Sequence, residues 1–468
     1  MTMSLQFHGA TEGVTGSCHQ ISYEVESMLI DCGIFQGKEA RDHRELKIDF
    51  GISNVKGLVL THAHIDHIGR LPYLLAAGYT GPIYTSVPTA FLVPEQIIDA
   101  LKIGFTRNHR LIQNVINILR KRIVPCRYKQ WITVSDTFRI KFHPAGHILG
   151  SAFIEVDVTS GKGHRRTNGM KGGRVVFSGD LGAPYAPILS SPRSPYRADI
   201  LVLESTYGNR IHKGRKDRRN VLLETLNRSL SDNGIVIIPA FAVGRTQELL
   251  YELNGIVESG KLPMLPVIVD SPLANKFVNL YSGLKSYWDK ESKKRLKRGD
   301  DPFLFPGITS IINHKDHMKV IRRLKKEGGP AIVIAGSGMC TGGRVMNYLK
   351  KFLPDRKSDI IFIGYQSSGT LGREILNYSS HDKKGQGYVM IDGKRISVKA
   401  AVHEISGYSA HAGQNDLIRW VKRFRQKPGK TFLVHGDFQA KKVLKTELNS
   451  TGLDVVIAKS KKKYIQMV

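Results

Sequence analysis

The first 200 residues contain short apolar runs rich in β-branched side chains, each followed by a polar or glycine-containing turn. This pattern predicts strands joined by loops. Apolar residues at 111, 112, 115, 116 and 119 follow helical spacing, so Leu111–Leu119 is predicted to be a helix. The predicted strands of this part are Met28–Cys32, Gly57–Thr61, Phe138–His143, Ser151–Val158, Arg174–Ser178 and Ile200–Leu203.

From about residue 208, apolar runs alternate with amphipathic stretches, which is typical of a parallel α/β sheet. The predicted strands here are Ile235–Ile238, Val267–Val269, Ala331–Ala335 and Asp359–Ile363. The predicted helices between them are Arg245–Val257, Pro272–Leu284 and Gly343–Phe352.

After about residue 372 the earlier pattern returns, beginning with a predicted hairpin of Tyr388–Ile391 and Ile396–Val402 around Asp-Gly-Lys. The remaining predicted elements are a helix at Gln414–Phe424, a strand at Thr431–Val434, a helix at Gln439–Leu448 and a strand at Asp454–Ala458. The simplest interpretation is a β-rich unit over 1–207 and 372–468 that is interrupted by an inserted α/β unit over 208–371.

The charge of the chain favours a polyanionic partner. Its 468 residues carry 70 Lys and Arg against 40 Asp and Glu, a formal net charge of +30. Nucleic acid is the first candidate and an anionic membrane surface the second, while a host that tolerates basic proteins is the neutral alternative. No apolar run is long enough to span a membrane, and neither a secretory leader nor a cysteine pair is evident, so we expect a cytoplasmic protein without a membrane partner.

Basic residues are clustered rather than spread evenly. Such runs are commonly solvated faces, but several of these flank the predicted insert, where a polyanion would be bound. The clusters are Asn209–Arg219, Lys293–Arg298, Arg322–Lys326, Arg120–Arg122, Lys459–Lys463 and the loop Gly161–Arg174.

The sharpest chemical signal is His62-Ala-His64-Ile-Asp66-His67, which directly follows a predicted strand. Three imidazoles and a carboxylate within six residues supply ligand types that Zn²⁺ accepts. A single zinc needs three protein ligands, whereas a dinuclear site needs more, including a bridging carboxylate. Further candidates, each beside a glycine and just after a strand, are His147, Asp180 and His435.

These motifs resemble the metallo-β-lactamase fold of dinuclear zinc hydrolases. Leu203-Glu204-Ser-Thr-Tyr-Gly208, Gly407-Tyr-Ser-Ala-His411 and Val434-His435-Gly436 are similar to the three signature elements of the β-CASP nucleases within that group. The resemblance covers essentially the whole chain. It implies an α/β fold, namely a metallo-β-lactamase αββα sandwich with an inserted β-CASP parallel α/β domain.

The resemblance also implies a role for each matching residue. Two Zn²⁺ per chain are expected, the first bound by His62, His64 and His147 and the second by Asp66, His67 and His435. Asp180 would bridge them together with a hydroxide that attacks the RNA phosphodiester, leaving 3′-hydroxyl and 5′-phosphate ends. Asp31 would orient a ligand histidine, and Glu204 would hold His411 beside the scissile phosphate. A purely structural Glu204–His411 pair is the alternative.

Contacts with substrate are predicted from weaker signals. The glycine-rich segment 336–343 precedes a predicted helix, so its backbone N–H groups are suited either to a phosphate or simply to tight packing. Arg245 and Arg344 lie near predicted helix starts and are candidates for phosphate contacts on the same terms. Ser337 and Ser409, which lie within these motifs, complete the candidate set.

Single-stranded RNA is the expected partner, because a histidine at 435 favours RNA over DNA within the resembled group. The alternatives are a DNA-acting β-CASP nuclease, a thioester or lactone hydrolase of the same fold, and a non-catalytic RNA-binding scaffold. The sequence leaves open whether cleavage is endonucleolytic or proceeds from the 5′ end, which RNA is preferred, and whether the chain forms a homodimer.

Overall fold

The computed structural model describes residues 2–37, 39–42, 46–159, 173–212, 214–379 and 387–467. The chain divides into two compact units. The first unit comprises Met1–Pro184, Leu189–Ile211 and His411–Val468, and the second comprises Tyr185–Ile188 and His212–Ala410.

The first unit contains two sheets, whose strands are numbered along the chain. One sheet has the order β22-β1-β2-β3-β4-β5-β6 and consists of β1 (Thr2–Phe7), β2 (His19–Tyr23), β3 (Glu26–Ile30), β4 (Val55–Leu60), β5 (Ile83–Ser86), β6 (Ile123–Cys126) and β22 (Lys463–Met467). The other has the order β21-β20-β11-β10-β9-β8-β7 and consists of β7 (Trp131–Thr133), β8 (Phe138–Pro144), β9 (Ala152–Val158), β10 (Arg174–Phe177), β11 (Ile200–Glu204), β20 (Lys430–Val434) and β21 (Val455–Ile457).

These two sheets pack face to face, and helices cover their outer faces. Alternation along β8 buries Phe138, Ile140 and Phe142 in a core that also contains Phe7 and Ile21 of the other sheet. The helices of this unit are α1 (Glu39–Asp42), α2 (Ile65–Ile68), α3 (Leu71–Ala76), α4 (Val87–Gly104), α5 (His109–Arg122), α13 (Gln414–Lys422) and α14 (Phe438–Asn449). The resulting αββα sandwich confirms the predicted fold class.

The second unit is built on a parallel sheet of order β14-β13-β15-β12-β16-β19. Its strands are β12 (Ile235–Pro239), β13 (Val267–Asp270), β14 (Ile308–Ser310), β15 (Ala331–Ala335), β16 (Asp359–Phe362) and β19 (Ala401–Glu404), and a separate hairpin is formed by β17 (Gly387–Ile391) and β18 (Lys394–Val398). Its helices are α6 (Arg218–Leu230), α7 (Arg245–Glu258), α8 (Pro272–Gly283), α9 (Lys290–Lys297), α10 (His314–Glu327), α11 (Val345–Phe352) and α12 (Leu371–Ser379).

The end of the inserted unit differs from the prediction. The sequence analysis ended the insert at 371, whereas the second unit continues to Ala410. The predicted strand Ile396–Val402 is in fact two strands, since the N–H groups of Lys399 and Ala400 turn away to donate to the carbonyl of Leu353 (2.8 and 2.9 Å). β19 then joins the parallel sheet beside β16.

Several elements were not predicted. They include β1 and β2 at the start of the chain and the helices α4, α6 and α10. α4 contains Pro94 in its interior, a residue that ordinarily argues against a helix.

A buried carboxylate links several elements of the second unit through hydrogen bonds. Asp270, at the end of β13, is fully buried and accepts hydrogen bonds from Arg344 Nη1 (2.6 Å), His317 Nδ1 (2.6 Å) and Tyr348 Oη (2.5 Å). Burial opposes ionisation of this carboxyl, but these hydrogen bonds outweigh it and lower the pKa of Asp270 below its ordinary value. The charge of Asp270 therefore stabilises the folded unit at neutral pH, and this contribution is lost as the pH falls through the lowered pKa.

We expect Asp270→Asn to lower the free energy of unfolding of the second unit by about 3 kcal/mol, because it leaves the buried donors without an ionised acceptor. Urea unfolding followed by circular dichroism measures the change. Asp392→Asn is the matched control, since Asp392 is 63% exposed and forms a surface ion pair with Lys350 (2.8 Å), so the substitution should cost less than about 1 kcal/mol. Equal effects of the two substitutions would contradict the structural role of Asp270.

Candidate metal centre

The candidate ligands of the first unit lie where its strands end. His62 follows β4, His147 follows β8, and Asp180 follows β10. β10, β11 and β20 are parallel neighbours, so Asp180, Glu204 and His435 leave the sheet at one common edge. The fold thus brings together residues that are more than 350 positions apart in the sequence.

Unusual backbone conformations direct these side chains. Gly146 and Gly179, which precede His147 and Asp180, have φ of +71° and +50°, and a Cβ at Gly146 would lie 2.7 Å from the carbonyl oxygen of Ser190. Glycine is therefore favoured there, because other side chains rarely adopt this conformation. His435 itself has φ of +51°, a strained conformation that is held by hydrogen bonds from its N–H to Ala10 O (2.7 Å) and from Ser205 N to its carbonyl oxygen (3.0 Å).

The first set of ligand atoms comprises three imidazole nitrogens and one carboxylate oxygen. His64 Nδ1 lies 3.1 Å from His62 Nε2 and 2.9 Å from His147 Nε2. Asp180 Oδ2 lies 3.5 Å from His62 Nε2 and 3.4 Å from His147 Nε2. Four tetrahedral ligands of a divalent ion such as zinc, at bond lengths of about 2.0–2.2 Å, are separated by about 3.3–3.6 Å. The two distances to Asp180 fall in this range, and the two distances between imidazole nitrogens are slightly shorter.

The second set faces the other oxygen of the same carboxylate. His67 Nε2 lies 3.2 Å from His435 Nε2, and Asp66 Oδ2 lies 3.3 Å from His435 Nε2. Asp180 Oδ1 lies 3.3 Å from His67 Nε2 and 3.6 Å from His435 Nε2, yet this buried oxygen has no hydrogen-bond partner among the described residues. A metal ion would satisfy it, and the donor set of imidazoles and carboxylates fits a divalent cation.

Hydrogen bonds on the far side of the rings favour the tautomers that a metal needs. The Nδ1–H groups of His67, His62 and His435 can donate to Asp31 Oδ2 (2.7 Å), Thr61 Oγ1 (3.0 Å) and Thr206 Oγ1 (3.0 Å), which leaves each Nε2 lone pair inside the cluster. Sequence reasoning missed both threonines. Thr61 directly precedes His62 and Thr206 lies two residues after Glu204, so adjacency was the available signal.

The pKa values of the histidines are shifted in opposite directions in the two sets. Burial lowers the pKa of His64 to about 4 and holds the pKa values of His62 and His147 well below the ordinary value, so these rings are neutral at neutral pH. Burial also opposes protonation of His67, but the charges of Asp180, Asp31 and Asp66 outweigh it and raise the pKa of His67 well above its ordinary value.

Glu204 and His411 lie beside the first set. Glu204 is fully buried, and its Oε1 accepts hydrogen bonds from Leu181 N (2.7 Å) and from His411 Nδ1 (3.3 Å). His411 Nδ1 is also 3.9 Å from Asp180 Oδ2. The predicted pair therefore exists, with the partly exposed imidazole next to the carboxylate that both ligand sets share.

Most of the residues predicted as candidates for substrate contacts form hydrogen bonds within the second unit. The Arg245 guanidinium is buried and donates to Tyr408 O (2.6 Å) and to Glu248, and Arg344 donates to Asp270 and to the carbonyls of Ile311 and Ile312 (2.9 and 2.6 Å). Both arginines thus have carboxylate partners inside the protein, which weighs against a role in binding phosphate. Ser337 Oγ accepts from Thr341 N (3.0 Å), and Ser409 is buried.

The basic clusters differ in exposure. Arg218, within the cluster Asn209–Arg219, is buried and binds Glu252 Oε1 through Nε (3.0 Å) and Nη2 (2.8 Å), so part of this cluster serves the interior of the second unit. Arg120–Arg122 and Arg322–Lys326 belong to α5 and α10. Of the basic loop Gly161–Arg174, residues 161–172 lie outside the described residues.

Comparisons with known protein families agree with the fold and the site. Residues 15–164 match the metallo-β-lactamase superfamily, residues 246–375 match the Beta-Casp domain, and residues 395–458 match the Zn-dependent metallo-hydrolase RNA specificity domain. The fold and the cluster of candidate ligands together define a hydrolase of the metallo-β-lactamase superfamily that carries an inserted β-CASP domain.

Two similar proteins indicate which family within this superfamily the chain belongs to. The chain is 36% identical over 454 residues to "Ribonuclease TTHA0252" of Thermus thermophilus, covering 96% of this chain and 97% of that protein. It is 30% identical over 445 residues to "Transcription termination factor FttA" of Methanothermobacter thermautotrophicus, covering 92% of this chain but 66% of that protein. The chain therefore belongs to the β-CASP ribonuclease family.

A solved structure supports the fold alone. A protein of unknown function from Enterococcus faecalis V583 matches with a TM-score of 0.55 at 13% identity, covering 100% of both chains. Among the described residues, no helix combines the length and apolar composition needed to cross a bilayer.

Asp31 provides a test of the second ligand set. Its carboxylate accepts from Thr61 N and Thr61 Oγ1 (2.8 Å each) as well as from His67. An amide at this position turns an N–H group toward one of these donors, so Asp31→Asn should lower the affinity for one metal ion about 10–100-fold. Competition with a chelator measures the loss. Asp454→Asn is the control, because Asp454 is 58% exposed in the same unit, and an equal loss there would refute the role of Asp31.

Proposed function

We propose that this chain is a zinc-dependent ribonuclease that hydrolyses phosphodiester bonds of single-stranded RNA and leaves 3′-hydroxyl and 5′-phosphate ends. One observation carries the proposal. Two sets of ligand atoms face opposite oxygens of the Asp180 carboxylate, an arrangement suited to a pair of metal ions. Membership of a ribonuclease family supplies the substrate class.

In this proposal His62, His64 and His147 would hold one Zn²⁺, Asp66, His67 and His435 would hold a second, and the Asp180 carboxylate would contribute to both sites. A zinc pair supplies Lewis acidity, which activates water as the nucleophile at neutral pH and neutralises charge on the phosphate. The protein contributes the geometry. The carboxylate of Asp31 and the hydroxyls of Thr61 and Thr206 hold three of the imidazoles in their ligand tautomers.

His411 is proposed as the group that contacts the scissile phosphate and protonates the departing 3′-oxygen. Glu204 acts through it as a positioning residue. Because Leu181 N and Thr206 N also donate to the Glu204 carboxylate (2.7 and 3.3 Å), Glu204 is fixed by the backbone and can in turn fix the imidazole. The net charge of +30 favours an RNA partner, since Lys and Arg binding to phosphates releases counterions.

We expect the purified protein to contain about two zinc ions per chain and to cleave single-stranded RNA. Chelation should abolish cleavage and added zinc should restore it, because in this proposal the metal ions activate the attacking water. Elemental analysis and a gel assay with internally labelled RNA measure both properties. Asp66→Ala removes a ligand from one set only and should lower the metal content by about one ion. A metal content of one or none in the unmodified protein would rule out the dinuclear proposal.

The same assay decides the direction of cleavage. RNA carrying a 5′-monophosphate or a 5′-hydroxyl is compared, with single-stranded DNA as the third substrate. Release of mononucleotides that depends on the 5′-phosphate indicates an exonuclease, whereas fragments from the middle of the chain indicate an endonuclease. Cleavage of DNA at the same rate as RNA would overturn the assignment of the substrate.

His411→Ala should reduce kcat about 10²–10⁴-fold while both metal ions remain bound, because the imidazole donates a proton and binds no metal in this proposal. Elemental analysis accompanies the kinetics. His411 lies near enough to Asp180 and His435 to join a metal site, so loss of metal from the variant would make it a ligand instead. His109→Ala, at an exposed histidine of the same unit, is the control and should cleave normally.

A further inference from the structure

A second cavity of about 560 Å³ lies in the first unit and contains none of the candidate metal ligands. Its walls combine cationic and aromatic side chains, namely Arg70, Lys47, Lys461, His8, Phe35 and Phe50. A volume of this size is within the range of small-molecule sites, which run from about 300 to 1,000 Å³. None of these residues has a role in the proposed hydrolysis.

Arg70 is the unusual member of this wall. It is 3% exposed, its Nε donates to Gly33 O (2.7 Å), and its guanidinium lies 5.0 Å from the centre of the Phe35 ring. Its Nη2 is buried without a hydrogen-bond partner, and within the described part of the chain no carboxylate forms an ion pair with it. Asp49, in the same wall, pairs with Lys461 (3.1 Å) and interacts with Arg70 electrostatically without an ion-pair contact. A buried charge that is incompletely paired is costly, so the pocket is suited to an anion that Arg70 would bind.

The other residues of the wall indicate which kind of molecule would carry the anionic group. Lys461 pairs with Asp49 (3.1 Å), and the Arg70 guanidinium adds a positive charge to the same wall. The rings of His8 and Phe50 are stacked with centroids 3.8 Å apart and planes inclined by 14°, which gives a flat aromatic surface. A planar heterocycle can pack on such a surface, as bases do on aromatic side chains.

We propose that this pocket binds a free mononucleotide, with its phosphate against Arg70 and its base against the stacked rings of His8 and Phe50. The ligand class follows from the buried Arg70 Nη2 that has no hydrogen-bond partner among the described residues, the flat ring surface and the volume. The wall is also close to the metal centre in sequence and space, since Arg70 follows His67 by three residues and its N–H donates to Cys32 O (2.9 Å), next to Asp31.

Calorimetric titration with adenosine 5′-monophosphate tests the proposal on the metal-loaded His411→Ala protein, in which RNA cleavage does not interfere. We expect one site per chain, with adenosine alone and inorganic phosphate alone binding more weakly. Arg70→Gln should weaken binding at least about tenfold, because a charge-assisted hydrogen bond is lost. Arg419→Gln is the matched control, since this arginine of the same unit is 58% exposed, and it should bind normally.

Further variants and a second ligand are included so that every result of the titration either supports or contradicts the proposal. If Arg70→Gln fails to fold, Lys461→Glu replaces it, because Lys461 is 77% exposed and its charge reversal should also weaken binding. Unchanged affinity in these variants, or loss of binding in Asp180→Ala, would overturn the proposal, the latter by moving the nucleotide to the metal centre. Equal binding of a 5′-phosphorylated oligonucleotide would replace the free mononucleotide with an RNA end. RNA cleavage by the unmodified protein is measured separately, so the two proposals fail independently.

Discussion

The structure of the first unit is governed by negative charge that is buried at one edge of a sheet. Asp31, Asp180 and Glu204 are each at most 2% exposed, and Asp66 lies beside them. Carboxylates in a dry environment must be balanced by cations or hydrogen bonds, or they become protonated. Backbone N–H groups meet this need at Glu204 and Asp31. Among the described residues, the close partners of the Asp180 carboxylate are imidazoles, so its charge is suited to cations on both sides.

The fold supplies the positions that this balance needs. Parallel strands end at a common edge, and left-handed backbone conformations at Asp31 and His435 turn the side chains into the cluster. Such conformations cost about 1–3 kcal/mol each, and they persist because surrounding hydrogen bonds fix them. The αββα core, with large apolar side chains between its sheets, makes that surrounding structure rigid enough to hold ligand atoms at spacings of about 3.3 Å.

Much of this could be predicted from the sequence because its signals are local. The motif around His62 follows a strand, and glycines precede His147 and Asp180, so a few neighbouring residues carry the information. Contacts that depend on tertiary structure left no such signal. The sequence did not indicate that β19 joins the parallel sheet, that Thr206 orients His435, or which oxygen of Asp180 faces which ligand set.

The arginines also show that sequence position does not reveal tertiary contacts, and they indicate which cation is available for an anionic ligand. Arg245 and Arg344 are candidates for phosphate contacts because they lie near predicted helix starts, yet each has a carboxylate of the protein as its partner. Arg70 attracted no prediction. Its guanidinium is buried, its Nη2 has no hydrogen-bond partner, and no carboxylate of the described residues forms an ion pair with it. Position in the sequence does not reveal whether a cation is already neutralised. Only the structure separates an arginine that serves the fold from one that is available for an external anion.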